Sequence, residues 1–466
     1  MNVQKTFSAK EAKMKKNIAH WVLILTLLAG LSAIGTAAEI ETLTLSRAIE
    51  IALKDNPDLK QVSNQTRLSQ ITVKQKKANF LPEVSISANS SQQYGKGLDT
   101  QTGRYENEDS RNLSINLSSA INLFNGFYDK ASLQQSKFEL KAAEENFSRS
   151  GQTIIFETLQ RYIQAVTAKE LIEVEKENLK AQEIQLARIQ DFYKAGRRPI
   201  ADLYQQKAEI AGSQYQLLNS ERNYEVNKLN LLQTLGLKPG KYYQVSDPGI
   251  DKLLKDIETY NKENALKEAL AKRPDLNAQR MQIQAGEKAI TVSRSGYWPR
   301  LSLFADLGTD YNSLNQYSGF SDQLFDNNLN AAVGLSLTIP LFDKGATKNS
   351  VAAAKINLEN HQLELEKMEN QVLTEVQQAM ADYRIAKEQL KVTEAQVKYS
   401  QAALESIEAR YNVNAAALVE LTQARAQYLE SQYARVEAKY NLLLRGTAVI
   451  FYTGDGNAML AVINKK

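Results

Sequence analysis

Cysteine is absent from the 466 residues, which removes disulfides, thiolate metal sites, a cysteine nucleophile and a lipid anchor on a mature N-terminal cysteine. Histidine is nearly absent too, and His361 is the only one outside the N-terminal segment. No glycine-rich phosphate loop follows an expected strand, so the inventory points away from an enzyme and calls for no cofactor or metal. Charge of one sign is also lacking. The formal net charge is only +4, and Lys, Arg, Asp and Glu alternate along the chain without a basic block, so nucleic acid is not an expected partner.

Proline and glycine are scarce, at 8 and 21 residues. Proline-free stretches of roughly 100 residues far exceed an ordinary helix and point to very long helices. Long hydrophobic runs are limited to the start of the chain. There Lys10, Lys13, Lys15 and Lys16 precede the apolar run Trp21 to Leu31 and the small residues Gly35, Thr36, Ala37 and Ala38. That order reads as an export signal over residues 1–38, cleaved near Ala38. Its apolar run is too short to be preferred as a spanning helix, and no later segment is a candidate either. If the mature chain crosses a membrane, it does so with strands.

What the sequence does contain is one motif written twice. Ala48, Ala52, Leu53, Pro57, Asp58, Leu59, Pro82, Ser85 and Ala88 recur at one constant offset as Ala265, Ala269, Leu270, Pro274, Asp275, Leu276, Pro299, Ser302 and Ala305. One residue is then gained, after which Ile121, Leu123, Phe124, Tyr193, Leu203, Gln205, Tyr215, Asn223 and Gly236 match Ile339, Leu341, Phe342, Tyr411, Leu421, Gln423, Tyr433, Asn441 and Gly454. The repeats are placed at residues 39–237 and 263–455, with a polar linker at 238–262 and a tail at 456–466.

Each half has the same expected order. A short helix, near Ser46 to Lys54 in the first half, leads through Pro57 into a helix reaching about Ala78. Pro82 stops it. An alternating strand follows (Val84, Ile86, Ala88 against Ser85, Ser87, Asn89), then a second marked by Leu113, Ile115, Leu117 and Ile121; the second half repeats these at Leu301 to Leu307 and Val333 to Ile339. Next come helices from about Asp129 to Tyr193 and Thr347 to Tyr411, each about 100 Å long. Val376, Tyr383, Leu390, Val397, Leu404 and Tyr411 are spaced by sevens, echoed by Ile172, Leu179, Leu186 and Tyr193, which implies a left-handed supercoil. Gly196 and Asn414 suit the left-handed residue that ends a helix. Pro199 then falls in the first turn of a return helix, Ile200 to Gly236. That return helix and the helix from Pro57 to Ala78, stacked end to end, nearly match the long one.

The fold class is therefore mainly α with membrane β-strands: a long antiparallel coiled-coil helical barrel, with four strands per chain. Four strands cannot close a barrel, so the chain must associate; three copies supply twelve strands and an open lumen, which favours a homotrimer. Phe80, Tyr94, Tyr297, Trp298, Tyr311 and Tyr317 near the strand ends suit interfacial girdles. The competing reading is a periplasmic structural coiled coil that forms no pore.

The duplicated Ala-Xaa3-Ala-Leu-Xaa3-Pro-Asp-Leu entry, the Leu81 to Val84 strand start and Ile339-Pro340-Leu341-Phe342 before the long helix resemble the TolC-like outer-membrane efflux proteins over essentially the whole mature chain. The resemblance implies a passive trimeric exit duct in the outer membrane with a long periplasmic extension. It also implies docking to a periplasmic adaptor and an inner-membrane pump. By the same resemblance the periplasmic gate falls on Glu420, with Gln423 where the family's second acidic ring would be, Asp202 and Gln205 at the matching places of the first half, and Tyr411 at the position of a hydroxyl that links neighbouring helices in the closed state. An acidic residue in a first helical turn also simply complements the macrodipole, and Tyr411 is equally a heptad core residue. Adaptor docking falls on the hairpin tips: Ala195, Gly196 and Arg197, and Val413, Asn414 and Ala415.

Overall fold

A computed structural model describes residues 41–98, 103–107, 109–238, 243–247, 249, 264–315 and 317–456. The expected export signal at 1–38, most of the expected linker at 238–262 and all but the first residue of the tail lie outside the described residues. Two compact units are formed, one drawing on Met1–Glu50 and Arg161–Gly249, the other on Ile51–Gln160 and Ile250–Lys466.

The chain opens with β1 (Glu41–Leu43), α1 (Leu45–Asp55) and α2 (Pro57–Ala78). Asn56 ends the first helix and starts the second: its side chain accepts the N–H groups of Asp58 and Leu59 at 2.9 and 3.0 Å, while Pro57 occupies a first-turn position that needs no donor. Then come β2 (Glu83–Gln93), a small hairpin of β3 (Lys96–Leu98) and β4 (Tyr105–Asn107), and β5 (Ser110–Asn125). The first hairpin is α3 (Tyr128–Lys194) and α4 (Ile200–Thr234), followed by β6 (Tyr243–Val245). The second half runs α5 (Ala265–Lys272), α6 (Pro274–Arg294), β7 (Arg300–Asn312), β8 (Asn330–Thr338), α7 (Ala346–Asn412) and α8 (Leu418–Tyr452). Among the described residues no helix is long and apolar enough to cross a membrane.

In the second half both α6 and α8 pack on α7, which is the end-to-end stacking the helix lengths imply. The buried face of α7 holds Val376, Tyr383, Leu404 and Tyr411 from the seven-residue series, with Ala379, Ala386 and Ser400 between them. Small residues there admit close helix approach, and Ser400 Oγ lies 2.7 Å from Ser431 Oγ of α8. The entry to the repeat is tied down by charge as well as by the cluster Ala265, Ala269, Leu276, Val372 and Val376. Arg273, almost fully buried, donates from Nη1 to Glu375 at 2.6 Å and from Nε to Asp275 at 3.0 Å. Such a pair is tolerated in a dry site because each charge has a hydrogen-bonded partner.

Three features departed from expectation or escaped it. Residues 243–245, inside the stretch read as a linker, form a strand parallel to β1. This ribbon sits on α3 through Tyr162, whose hydroxyl is 2.9 Å from the Leu43 carbonyl oxygen and 2.8 Å from that of Ser246. Pro199 is not inside the return helix but caps it in extended conformation, and α4 ends at Thr234, two residues before Gly236. Finally, each strand-to-helix corner uses two consecutive left-handed residues, Gly126 and Phe127 in one half and Lys344 and Gly345 in the other. Gly126 has a second constraint, since a Cβ there would lie 2.6 Å from the Ser295 carbonyl oxygen and 2.7 Å from Trp298 Cβ.

Candidate functional site

Two regions carry the geometry expected of a duct: the large sheet and the hairpin tips. The sheet has the order β2-β5-β7-β8, antiparallel throughout, with β2 and β8 left as edges. Register sorts its side chains by chemistry. Ile86 opposes Leu117, Leu117 opposes Leu307, Ile121 opposes Leu303, and Leu303 opposes Leu335, so one face is predominantly apolar, extended by Val84, Leu301, Val333 and Leu337 and interrupted by Ser119 and Thr309. Ser85, Ser87, Ser118, Asn116, Ser302, Asp306 and Ser336 line the other. The apolar face is open, with Val84, Ile86, Val333 and Leu335 all exposed. Strands of 9 to 16 residues reach or exceed the roughly 9 to 11 that cross a bilayer when tilted. Apolar outside and polar inside is the reverse of a soluble barrel and the pattern of a membrane one.

At the tips the two halves share one backbone solution. Gly196 has φ +69°, with its N–H on the Tyr193 carbonyl at 2.9 Å and the Arg197 N–H on the Phe192 carbonyl at 2.8 Å. Asn414 has φ +63°, with its N–H on the Tyr411 carbonyl at 3.1 Å and the Ala415 N–H on the Arg410 carbonyl at 2.8 Å. Both are Schellman ends, in which two reversed hydrogen bonds satisfy carbonyls the helix leaves open. Ala195, Gly196, Arg197, Val413, Asn414 and Ala415 are all exposed, so both tips present their surface to solvent.

The acidic residues differ. Asp202 lies 3.6 Å from Arg198, with side chains only 16% and 12% exposed. Glu420 is 46% exposed; its Oε1 accepts the Ala417 N–H at 3.0 Å and its Oε2 lies 3.6 Å from Arg410, which also donates to the Ala415 carbonyl at 3.0 Å. Gln423, one turn on, is exposed, so Glu420 and Gln423 present one solvated face of α8. Tyr411 is fully buried, whereas its repeat counterpart Tyr193 is not.

Behind the first tip lies a polar layer that periodicity alone did not reveal. Gln182 Nε2 donates to Ser213 Oγ at 2.7 Å, the same pair of positions that holds Ser400 and Ser431 in the second half. Glu175 and Gln185 are buried beside it on α3, and burial pushes the Glu175 carboxyl above its usual range. The signal was present in the duplication: Glu175 and Gln182 stand where the second half has Thr393 and Ser400. Among the described residues no group of three or more His, Asp or Glu side chains is placed to hold a metal ion.

Comparison with known proteins agrees with this fold. The family model described as outer membrane efflux protein matches residues 48–237 and again 265–455. Outer membrane protein TolC of Escherichia coli (strain K12) is 22% identical over 411 residues, covering 85% of this chain and 79% of that protein. Proteases secretion protein PrtF of Dickeya chrysanthemi is 24% identical over 359 residues, 76% of this chain and 75% of that protein. Among solved structures, CusC superposes with a TM-score of 0.76 at 16% identity, covering 91% of this chain and 96% of that one, which establishes the fold. With two membrane strands and one helical hairpin in each of two matched repeats, the chain belongs to the outer membrane efflux protein family, the non-enzymatic outer-membrane channels of tripartite export and type I secretion systems.

Proposed function

We propose that three copies join their sheets edge to edge into a twelve-stranded barrel in the outer membrane, continued into the periplasm by a duct of helical hairpins that is gated at the tips. One observation carries this reading: a four-stranded sheet with one predominantly apolar face and, among the described residues, two unpaired edges. Neither feature is stable in water, and lipid covers the face only if neighbouring copies satisfy the edges. The family's working form as a trimeric channel acting with export machinery fits the same requirement.

At the tips, three copies of Glu420 form a ring of carboxylates that favours cations and resists crowding of negative charge. Gln423 widens the same face without adding charge. Tyr411 fixes the end of α7 from within, and Asp202, held by Arg198, steadies the first turn of α4. The exposed residues Ala195, Gly196, Arg197, Val413, Asn414 and Ala415 receive a periplasmic adaptor, through which an inner-membrane pump delivers cargo. The test is single-channel recording in planar bilayers with Glu420→Gln combined with Asp202→Asn. A larger conductance or a weaker cation preference is expected; unchanged conductance and selectivity would reduce both acids to helix-end electrostatics.

A further inference from the structure

The connection between β7 and β8 is not a plain loop. A helical turn at Phe320–Asp322 runs into a π turn at Gln323–Asn327, and the whole is pinned back against the end of β7. Gln323, fully enclosed, accepts the Asn312 N–H on Oε1 at 3.0 Å and donates from Nε2 to the Ser318 carbonyl at 2.8 Å. Thr309 Oγ1 donates to the Leu324 carbonyl at 2.8 Å, and the Phe320 ring meets the Tyr311 ring edge-on at a centroid distance of 4.9 Å.

These contacts decide on which side of the sheet the segment lies. Thr309 opposes Ile115 and Tyr311 opposes Leu113, so both belong to the alternation that also carries Leu303 and Leu307. The turn is therefore fastened over the outer end of the apolar face, not over the polar face that lines the pore. Yet it is not a covered element. Tyr317 is 85% exposed and Phe325 76% exposed, and Phe320 and Leu329 are more than half exposed, in a segment that also holds the exposed Asp322 and Asp326. Arg111, exposed at the same end of β5 and bonded through its backbone to Ser313, adds a cation to this rim.

We infer that residues 317–329 form an interfacial anchor: a short, rigid element that lies on the lipid side of the barrel and sets Tyr317, Phe320, Phe325 and Leu329 into the headgroup level of the outer leaflet. The inference rests on the membrane-barrel reading above. The occupant is lipid because this surface is continuous with the apolar face of the sheet, which lipid covers. Tyr317 suits that depth because its ring meets acyl chains while its hydroxyl stays hydrated, Phe320, Phe325 and Leu329 add apolar area beside it, and an arginine at the same rim reaches lipid phosphate. An internal hydrogen-bonded scaffold gives the anchor a fixed height, which a flexible loop could not supply.

The absence of native cysteine makes the test direct, because a single introduced cysteine carries a spin label uniquely. Full-length protein in vesicles of phospholipid would be labelled at Phe325→Cys, Asp326→Cys and Leu335→Cys, and relaxation by oxygen and by a water-soluble nickel chelate compared. The label at 325 should show several-fold lower nickel accessibility than that at 326, and a depth shallower than that at 335. Equal nickel accessibility at 325 and 326 would overturn the anchor. Shielding of the 325 label from both relaxants would also overturn it, by placing protein rather than lipid on the patch. If the label at 335 is itself open to nickel, the barrel reading has failed rather than the anchor.

Discussion

At the tip of the first hairpin an acid is buried against an arginine four residues before it; at the tip of the second, the corresponding acid stands in water and uses one oxygen to hold the first turn of its own helix. The backbones are the same, down to the two reversed hydrogen bonds at Gly196 and Asn414. Behind them the difference continues: Gln182 with Ser213 against Ser400 with Ser431, and Tyr162, which grips the β1/β6 ribbon, against Met380 at the matching position. A duplicated unit has kept its geometry and divided its roles. At the first tip the acid is held by an arginine in a largely enclosed pair, while at the second the acid stays half exposed.

The largest expected effect tests the fastening. Burial pushes the Tyr162 phenol up to about 12, against an ordinary value of 10.0. Below pH 10 both folded and unfolded chains keep the proton and the stabilisation is complete. Between about pH 10 and 12 only the unfolded chain loses it, so stability falls by roughly 1.4 kcal/mol per pH unit. Tyr162→Phe should remove that slope and cost about 1 kcal/mol at neutral pH through the lost hydrogen bond. Chemical denaturation followed by helical circular dichroism at pH 9 and pH 11 measures both. A slope in the parent no steeper than in Tyr162→Phe would break this part of the comparison.

Next is the charge pair. Arg198→Ala leaves the Asp202 carboxylate buried, at a cost of roughly 2 kcal/mol, below that of a wholly dry pair because the groups are 3.6 Å apart and partly wetted. Amide hydrogen exchange around residues 195–205 should then accelerate about 30-fold. Arg410→Ala removes the neighbour of a half-exposed Glu420 and should change exchange around 413–423 by no more than about two-fold. Equal effects at the two tips would erase the distinction between fastened and free acid.

The backbone itself offers a smaller test. Gly196→Ala puts a Cβ on a left-handed residue and should cost about 1 kcal/mol, read as faster exchange in the last turn of α3. Asn414→Gly, by contrast, replaces the side chain that best tolerates this conformation and should leave α7 protected to within about half a kcal/mol. If Asn414→Gly were the more damaging, the Asn414 side chain would have a role beyond turning the chain.

Much of this was legible because it is local. Pro57, Pro82 and Pro274 punctuate by sterics alone, a seven-residue period reports a helix face, and Gly196 and Asn414, each at the end of a long helical pattern, announce a left-handed residue. The two sheet faces followed from alternation, since a strand has no other way to separate Val84 and Ile86 from Ser85 and Ser87. What escaped depends on distant partners. Glu41–Leu43 and Tyr243–Val245 are too short for any periodicity, and their pairing joins residues near the two ends of the first repeat. Asp202 lies in the first turn of α4, but nothing in its spacing distinguishes a carboxylate turned toward Arg198 from one turned to solvent, as at Glu420. Phe127 and Lys344 take left-handed corners beside Gly126 and Gly345, a conformation that neither residue type signals.

The smallest stability effect is expected where the functional effect should be largest. Glu420→Gln removes the negative charge but retains an oxygen at the same reach, so the Ala417 N–H keeps its acceptor. What is lost is the favourable placement of an anion in a first helical turn, about 0.3 to 1 kcal/mol, together with a weak attraction to Arg410. Exchange protection at the start of α8 should fall by only about two- to five-fold. The same substitution takes one charge from every copy in the proposed ring, and cation preference in bilayers should fall while the helix stays in place. A loss of protection reaching well up α8 would mean that the carboxylate is structural, and the second hairpin would then be fastened by its acid just as the first is.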